Sequence, residues 1–276
     1  MEGSTETIAV DDCALNGGWT VVLPRRGRQR RRSNKVETLK ETEEPWTPTD
    51  VQIDPSTEKA LMQKIERSIN KVESSQFYHS LRDQLQTPPI SEHLHKVLGL
   101  ESKMPMVIYG IGSLESYEPP RLQLSLAILM KRDFRWIEDI DVFDPVLSAT
   151  ESRILETLGC SVLPFNEHGR RQALKPTVFF MPHCEAELYN NLLQANWELN
   201  LLGNMVLFGN SFETYKQVSE FNSPVLNSMG HILAARKFTN EFSIKTISDD
   251  YFNAFHDSSW HFFSPFLETE LQFMSS

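Results

Sequence analysis

No window of the 276-residue sequence approaches the roughly 18 consecutive apolar positions of a membrane-spanning helix. The first thirty residues carry acids and arginines where a secretory signal needs an apolar centre, so the expectation is a protein of cytosol or nucleus with no membrane partner. Cysteine is scarce as well. Cys13, Cys160 and Cys184 form no Cys-x-x-Cys pair, and an odd number of thiols without an export signal argues against a disulfide framework. Walker A, His-Glu-x-x-His, Gly-x-Ser-x-Gly and paired-carboxylate patterns are all missing, so the sequence points to no catalytic and no metal-ligating residues.

What is present is unevenly charged. The formal net charge is -10, yet Arg25, Arg26, Arg28, Arg30, Arg31 and Arg32 contribute six of the 27 basic residues, leaving -16 for the remainder. Such a block cannot pack into a core and suits an acidic partner, a nuclear-import receptor first among them. Direct nucleic-acid binding is disfavoured, because the acidic body offers no second basic stripe and no zinc-finger, RNP or helix-turn-helix signature.

The chain divides by composition. Residues 1–52 are rich in charge, Thr, Gly and Pro and read as a disordered tail, with 19–23 (WTVVL) as a docking strand. Residues 53–104 read as a helical extension: Asp54 caps, Pro55 fits the first turn, and Leu61, Ile65, Ile69 and Val72 recur at helical spacing. Two shorter helices follow, over 75–86 and 91–98, the first stopped by Pro88-Pro89 and the second by Gly99. From 105 to 266, short apolar runs alternate with helical patterns, the signature of parallel strands covered on both faces. Strands are placed at 106–109, 141–143, 160–163, 177–181 and 205–209, with helices from about Pro120, from the capping box 148–151, through Leu188, Leu192, Leu193 and Trp197, and at about 225–237. A partly extended aromatic segment spans 251–263, and 267–276 form a tail. The fold expected is α/β, a Rossmann-like, doubly wound, mainly parallel sheet in the order 3-2-1-4-5.

In such a sheet, ligands bind beyond the carboxyl ends of the strands. The candidates are therefore Gly110, Gly112 and Ser113 after the first strand, Asp144 after the second, His183 and Cys184 after the fourth, and Asn210 and Ser211 after the fifth. Gly-x-Gly opens like a dinucleotide fingerprint, but Glu115 stands where its third glycine belongs and two prolines delay the helix, which speaks against NAD. A looser turn admits S-adenosylmethionine or a nucleotide, with Asp144 accepting from ribose hydroxyls. The equal alternative is structural: the glycines supply backbone conformations barred to other residues, and Asp144 caps the turn before Pro145. His183 and Cys184 point opposite ways if extended, and only His168 in the preceding loop could join them. Asp257, Ser258 and His261 tempt toward a triad but suit a turn better.

The segments VIYGIGSLESY, VFDPVLSATE, LGCSVL, TVFFMPHCEAELYNNLLQANW, VLFGNSF and FHDSSWHFF occur in one order over residues 105–263, and in this the chain resembles the Sensitivity to Red Light Reduced family. GGWTVVLPRRGRQRRR is similar to the Trp-and-arginine segment of its eukaryotic members. The resemblance implies a regulatory protein of phytochrome B-mediated red-light signalling and the circadian clock, affecting photoperiodic flowering and seedling growth through protein partners. It implies no reaction. Haem, linked to some non-plant relatives, enters as the weakest cofactor candidate, since Cys-Pro and Cys-x-x-Cys-His are missing. The alternative is a nucleotide- or S-adenosylmethionine-dependent, transferase-like enzyme using the turn at Gly110 and Gly112.

Overall fold

The computed structural model describes residues 45–48, 50–221, 229–245 and 248–264. The tail strand at 19–23, the arginine cluster and the tail at 267–276 lie outside the described residues. Asp54 does cap the first helix, α1 (Pro55–Glu73), its carboxylate accepting from the backbone N–H of Ser56 and Thr57. Helices α2 (Gln76–Gln86) and α3 (Ile90–Leu98) follow, the latter ended by Gly99 in a left-handed conformation at φ +58°.

The alternation then begins: β1 (Met104–Tyr109), α4 (Glu118–Asp133), β2 (Ile137–Phe143), α5 (Ala149–Thr157), β3 (Cys160–Val162), β4 (Thr177–Met181), α6 (Ala186–Ala195), α7 (Leu199–Gly203) and β5 (Met205–Asn210). After α8 (Phe212–Phe221) and α9 (Gly230–Ala235), the chain forms β6 (Thr239–Ser243), α10 (Asp249–Phe255) and β7 (Ser258–Phe263). The sheet order among the described residues is β3-β2-β1-β4-β5-β7-β6. Its first five strands are mutually parallel, in the expected 3-2-1-4-5 order, and β7 runs antiparallel to both β5 and β6.

Several expectations need correction. The partly extended aromatic segment 251–263 is divided: Tyr251 to Phe255 belong to α10, a helix the sequence reading did not place, and the second half is a strand. Strand β6 and helix α8 have no counterpart in the sequence reading. TNEFS has a single large apolar side chain, so its pairing with β7 is imposed by tertiary context rather than by local pattern. The late helix occupies only Gly230–Ala235 of the described part of 225–237, and α4 starts at Glu118, two residues before Pro120.

Side chains alternate across the sheet with the period of a strand. Met106 and Ile108, Val178 and Phe180, and Val206 and Phe208 share one core with Leu61, Phe77, Ile90, Leu122 and Ile154, so α1 to α5 cover that face. Val107 and Tyr109, Phe179 and Met181, and Met205 and Leu207 face Leu192, Leu202, Phe212 and Ile232 from α6 to α9. Each such buried side chain stabilises the fold by about 1.5–3 kcal/mol relative to exposure. A strap precedes α1. Trp46 donates its backbone N–H to Pro164 O at 2.7 Å and sets its ring edge-on to Phe143, 5.5 Å between centroids, while Asp50 O accepts from Ala149 N at 3.0 Å.

Candidate functional site

The carboxyl ends of β1, β2 and β4 surround a cavity of about 450 Å³. Tyr109 and Gly110 come from β1 and its turn, Phe143, Asp144 and Pro145 from β2, and His183, Cys184 and Glu185 from the β4 loop. Glu187, Leu188 and Asn191 of α6 complete it with Asn166 and His168. Of the sequence candidates, four line this space: Gly110, Asp144, His183 and Cys184. Gly112, Ser113, Asn210 and Ser211 do not, although the first three support a residue or loop next to it.

Gly110 must be glycine on two counts. Its φ is +65°, and a Cβ there would lie 2.7 Å from Cys184 Sγ. Gly112, at φ +78°, donates its N–H to Asp144 Oδ2 at 2.7 Å, while Asp144 Oδ1 accepts from Val146 N at 2.9 Å. Asp144 is nearly fully buried, so it ties the β1 turn to the β2 turn before it does anything else.

The turn is held a second time by Glu151. The predicted capping box is present: Ser148 Oγ accepts from Glu151 N at 3.1 Å and Glu151 Oε2 accepts from Ser148 N at 2.8 Å. Glu151 Oε1 reaches further, accepting from Ser113 Oγ at 2.8 Å and from Glu115 N at 2.9 Å. Ser113 Oγ also accepts from Ser116 N, and Gly110 N donates to Phe143 O. Glu115 itself projects to solvent.

The β4 loop is held from behind. Asn210 Oδ1 accepts from His183 N at 2.7 Å, and its Nδ2 donates to Cys184 O at 3.1 Å and to the Tyr215 hydroxyl at 2.9 Å. Tyr189 donates its hydroxyl to Met181 O and accepts from Asn210 N, filling the space a Cβ on Gly209 would need. Ser211 caps α8 by accepting from Glu213 N. His183 stands at φ +60°, a left-handed conformation seldom adopted outside glycine and asparagine, with its ring against His256, 4.3 Å between centroids, and Nε2 3.0 Å from His256 O. If Nε2 carries the proton and donates to that carbonyl, Nδ1 is left as an acceptor. Burial lowers the His183 pKa, which favours this neutral form near pH 7.

His183 and Cys184 do not act on each other: the His183 ring is held by His256 and the Cys184 thiol by Tyr109. The Cys184 thiol donates to Tyr109 O at 3.1 Å and burial pushes its pKa well up, so it is a packing group and not a thiolate nucleophile. Burial likewise raises Cys160, to about 11. Asp257, Ser258 and His261 do not assemble a triad: Asp257 accepts from Thr214 Oγ1, His261 Nδ1 lies 3.3 Å from Leu207 O, and Ser258 Oγ and His261 Nε2 have no hydrogen-bond partner. No group of three metal-ligating side chains occurs among the described residues, nor a helix long and apolar enough to cross a membrane.

Sequence reasoning missed Glu185, Glu187, Leu188 and Asn191, because the α6 pattern marks its buried face and says nothing of its first turn. Their position directly after a strand end was the available signal. His168 does reach the cavity, with its backbone at φ +49°. Behind Tyr109, whose hydroxyl is bonded to Glu167, Arg171 pairs with Glu167 at 2.9 Å and Asp141 at 2.6 Å.

Comparison with known proteins fits this picture. The chain is 55% identical over 265 residues to Protein SENSITIVITY TO RED LIGHT REDUCED 1 of Arabidopsis thaliana, covering 95% of this chain and 96% of that one. An SRR1-like protein of Mus musculus is 38% identical over 48% of this chain and 60% of its own, and one of Drosophila melanogaster 28% identical over 57% and 54%. Among solved structures, MtNAS in complex with MTA and tNA aligns at 12% identity over 75% of this chain and 71% of that one, TM-score 0.37. The 23S rRNA methyltransferase ErmE aligns at 8% over 66% and 75%, TM-score 0.35. The fold assignment rests on the strand order itself. The SRR1 domain model matches residues 90–262, from the start of α3 to the end of β7, and the chain belongs to the SRR1 domain family.

Proposed function

We propose that this protein regulates red-light responses, in phytochrome B signalling and the circadian clock, and that it does so by holding a small ligand of nucleoside or S-adenosylmethionine type at the strand ends. The regulatory half is supported by near full-length similarity to the Arabidopsis protein named for sensitivity to red light. The ligand half is supported by one observation above all: a cavity of about 450 Å³ lies where a doubly wound sheet binds its ligands, walled by Gly110, Asp144, His183 and the first turn of α6. A buried, protonated Cys184 and an unassembled Asp257-Ser258-His261 set give this reading a binding site rather than a nucleophile. Protein partners in nucleus and cytoplasm would then read whether the cavity is filled, and the arginine cluster would bring the protein to an import receptor.

The test pairs binding with phenotype. Purified protein is screened by thermal shift against S-adenosylmethionine, S-adenosylhomocysteine, adenosine, NAD, ATP, flavins and haem, with calorimetry on any hit. A ligand at 100 times its Kd stabilises the native state by about 2.7 kcal/mol. Leu188→Trp, which fills the cavity, should abolish the shift, and plants carrying it should show the red-light seedling growth and flowering of plants lacking the protein. Normal growth with a filled cavity would refute the ligand half and leave the regulatory half standing.

A further inference from the structure

The glycine turn poses a question of charge. In phosphate-binding loops, the N–H groups of a glycine-rich turn and of the following helix point at the anion. Here four of those donors are already engaged, two of them by carboxylates. Gly112 N is taken by Asp144 Oδ2 at 2.7 Å and Glu115 N by Glu151 Oε1 at 2.9 Å. Gly110 N and Ser116 N are taken by Phe143 O and Ser113 Oγ.

We infer that two of the chain's own carboxylates occupy the anion position of the turn, so that the cavity takes a phosphate-free ligand, neutral or cationic, and rejects phosphorylated ones. The inference rests on reading the cavity as a ligand site. Its walls agree in sign: Asp144, Glu185 and Glu187 line it, and no lysine or arginine does among the described residues. Arg171, behind Tyr109, is spent on Glu167 and Asp141. The opposing contribution is the N-terminus of α6, worth about half a positive charge. Two carboxylates on or beside that first turn, with Asp144 opposite, outweigh it severalfold. A phosphate entering would meet like charges across a partly desolvated gap, where repulsion is stronger than in water. A sulfonium or ammonium group would meet attraction, and the Tyr109 and Phe143 rings line the same space.

The experiment is isothermal calorimetry on the full-length protein with four probes: S-adenosylmethionine, adenosine, 5′-AMP and ATP. The expected order is S-adenosylmethionine at least as tight as adenosine, and 5′-AMP and ATP weaker than adenosine by about tenfold or more. Glu185→Gln with Glu187→Gln leaves the fold alone, since both side chains are exposed and Glu185, at the N-cap of α6, makes no side-chain capping hydrogen bond. It should shrink the adenosine to 5′-AMP ratio about threefold. If 5′-AMP binds as well as adenosine, the inference falls while the ligand site stands. If the ratio is large but the double variant leaves it unchanged, shape and not charge excludes phosphate, and the inference falls again. If none of the four binds, the ligand site falls first and takes the inference with it.

Discussion

The loops after β1 and β4 look alike in sequence, small and polar at a strand end, yet the structure treats them oppositely. The β1 turn is held shut, the N–H groups of Gly112 and Glu115 absorbed by Asp144 and Glu151. The β4 loop is braced from behind by Asn210 and Tyr189 and turns His183, Glu185 and the start of α6 toward the cavity. Glycines therefore report where the backbone must turn, and what binds is decided by which donors and acceptors remain unspent. A turn that opens like a dinucleotide fingerprint is here tied by the chain's own carboxylates to the end of β2 and the start of α5.

The contrast can be broken from the closed side with large effects. Gly110→Ala combines a left-handed backbone with a Cβ 2.7 Å from Cys184 Sγ, and should cost about 3 kcal/mol by chemical denaturation. Adding Cys184→Ala should recover part of that loss, and a strictly additive double variant would refute the contact as its source. Glu151→Ala removes a cap and strands the N–H groups of Glu115 and Ser148, so a loss of about 2 kcal/mol is expected. Gly112→Ala should be milder, about 1 kcal/mol, because its Cβ would meet only Pro120 Cγ at 3.4 Å and the strain is confined to φ. A cost equal to that of Gly110→Ala would show that crowding against Cys184 is not what sets the two glycines apart.

From the open side the effect is smaller and depends on pH. Burial lowers the His183 pKa in the folded state, so the unfolded chain takes up its proton first on acidification. Stability is whole above the unfolded value near 6.5 and declines as pH falls below it toward the folded value. His93, His231 and His261 are lowered by burial and act in the same sense, whereas Asp257, raised by burial, acts in the opposite sense above about 3.8. His183→Asn keeps a residue that tolerates positive φ and should flatten part of the decline between pH 7.5 and 5.5. An unchanged slope would place the proton sensitivity on the other three histidines.

Much of the frame was legible because it is local. Asp54 before Pro55, Ser148 with Glu151, and apolar runs bounded by turns each carry their own mechanism in a few residues, and the 3-2-1-4-5 order follows from the alternation. The remainder is long-range. Nothing near Asp144 in sequence says that its carboxylate belongs to Gly112, 32 residues earlier, or that Glu151, already spent in a capping box, also holds Ser113 and Glu115. Asn210 and Ser211 were rightly placed at a strand end, yet one braces the neighbouring loop and the other caps a helix, roles that depend on packing partners far along the chain. Strand β6 escaped because a polar edge strand has no apolar run to announce it.

The strap at 45–52 has a practical corollary for anyone dissecting this protein. The SRR1 domain model begins at residue 90, but Trp46 rests on Phe143, which is itself a wall of the cavity, and its backbone is stitched to Pro164. A shortened version trimmed to the matched region, or even to the start of α1, would uncover that aromatic wall and loosen the rim from outside. Failure of such a fragment to bind would thus report on the missing brace and not on the emptiness of the site, and trimming should stop ahead of Pro45.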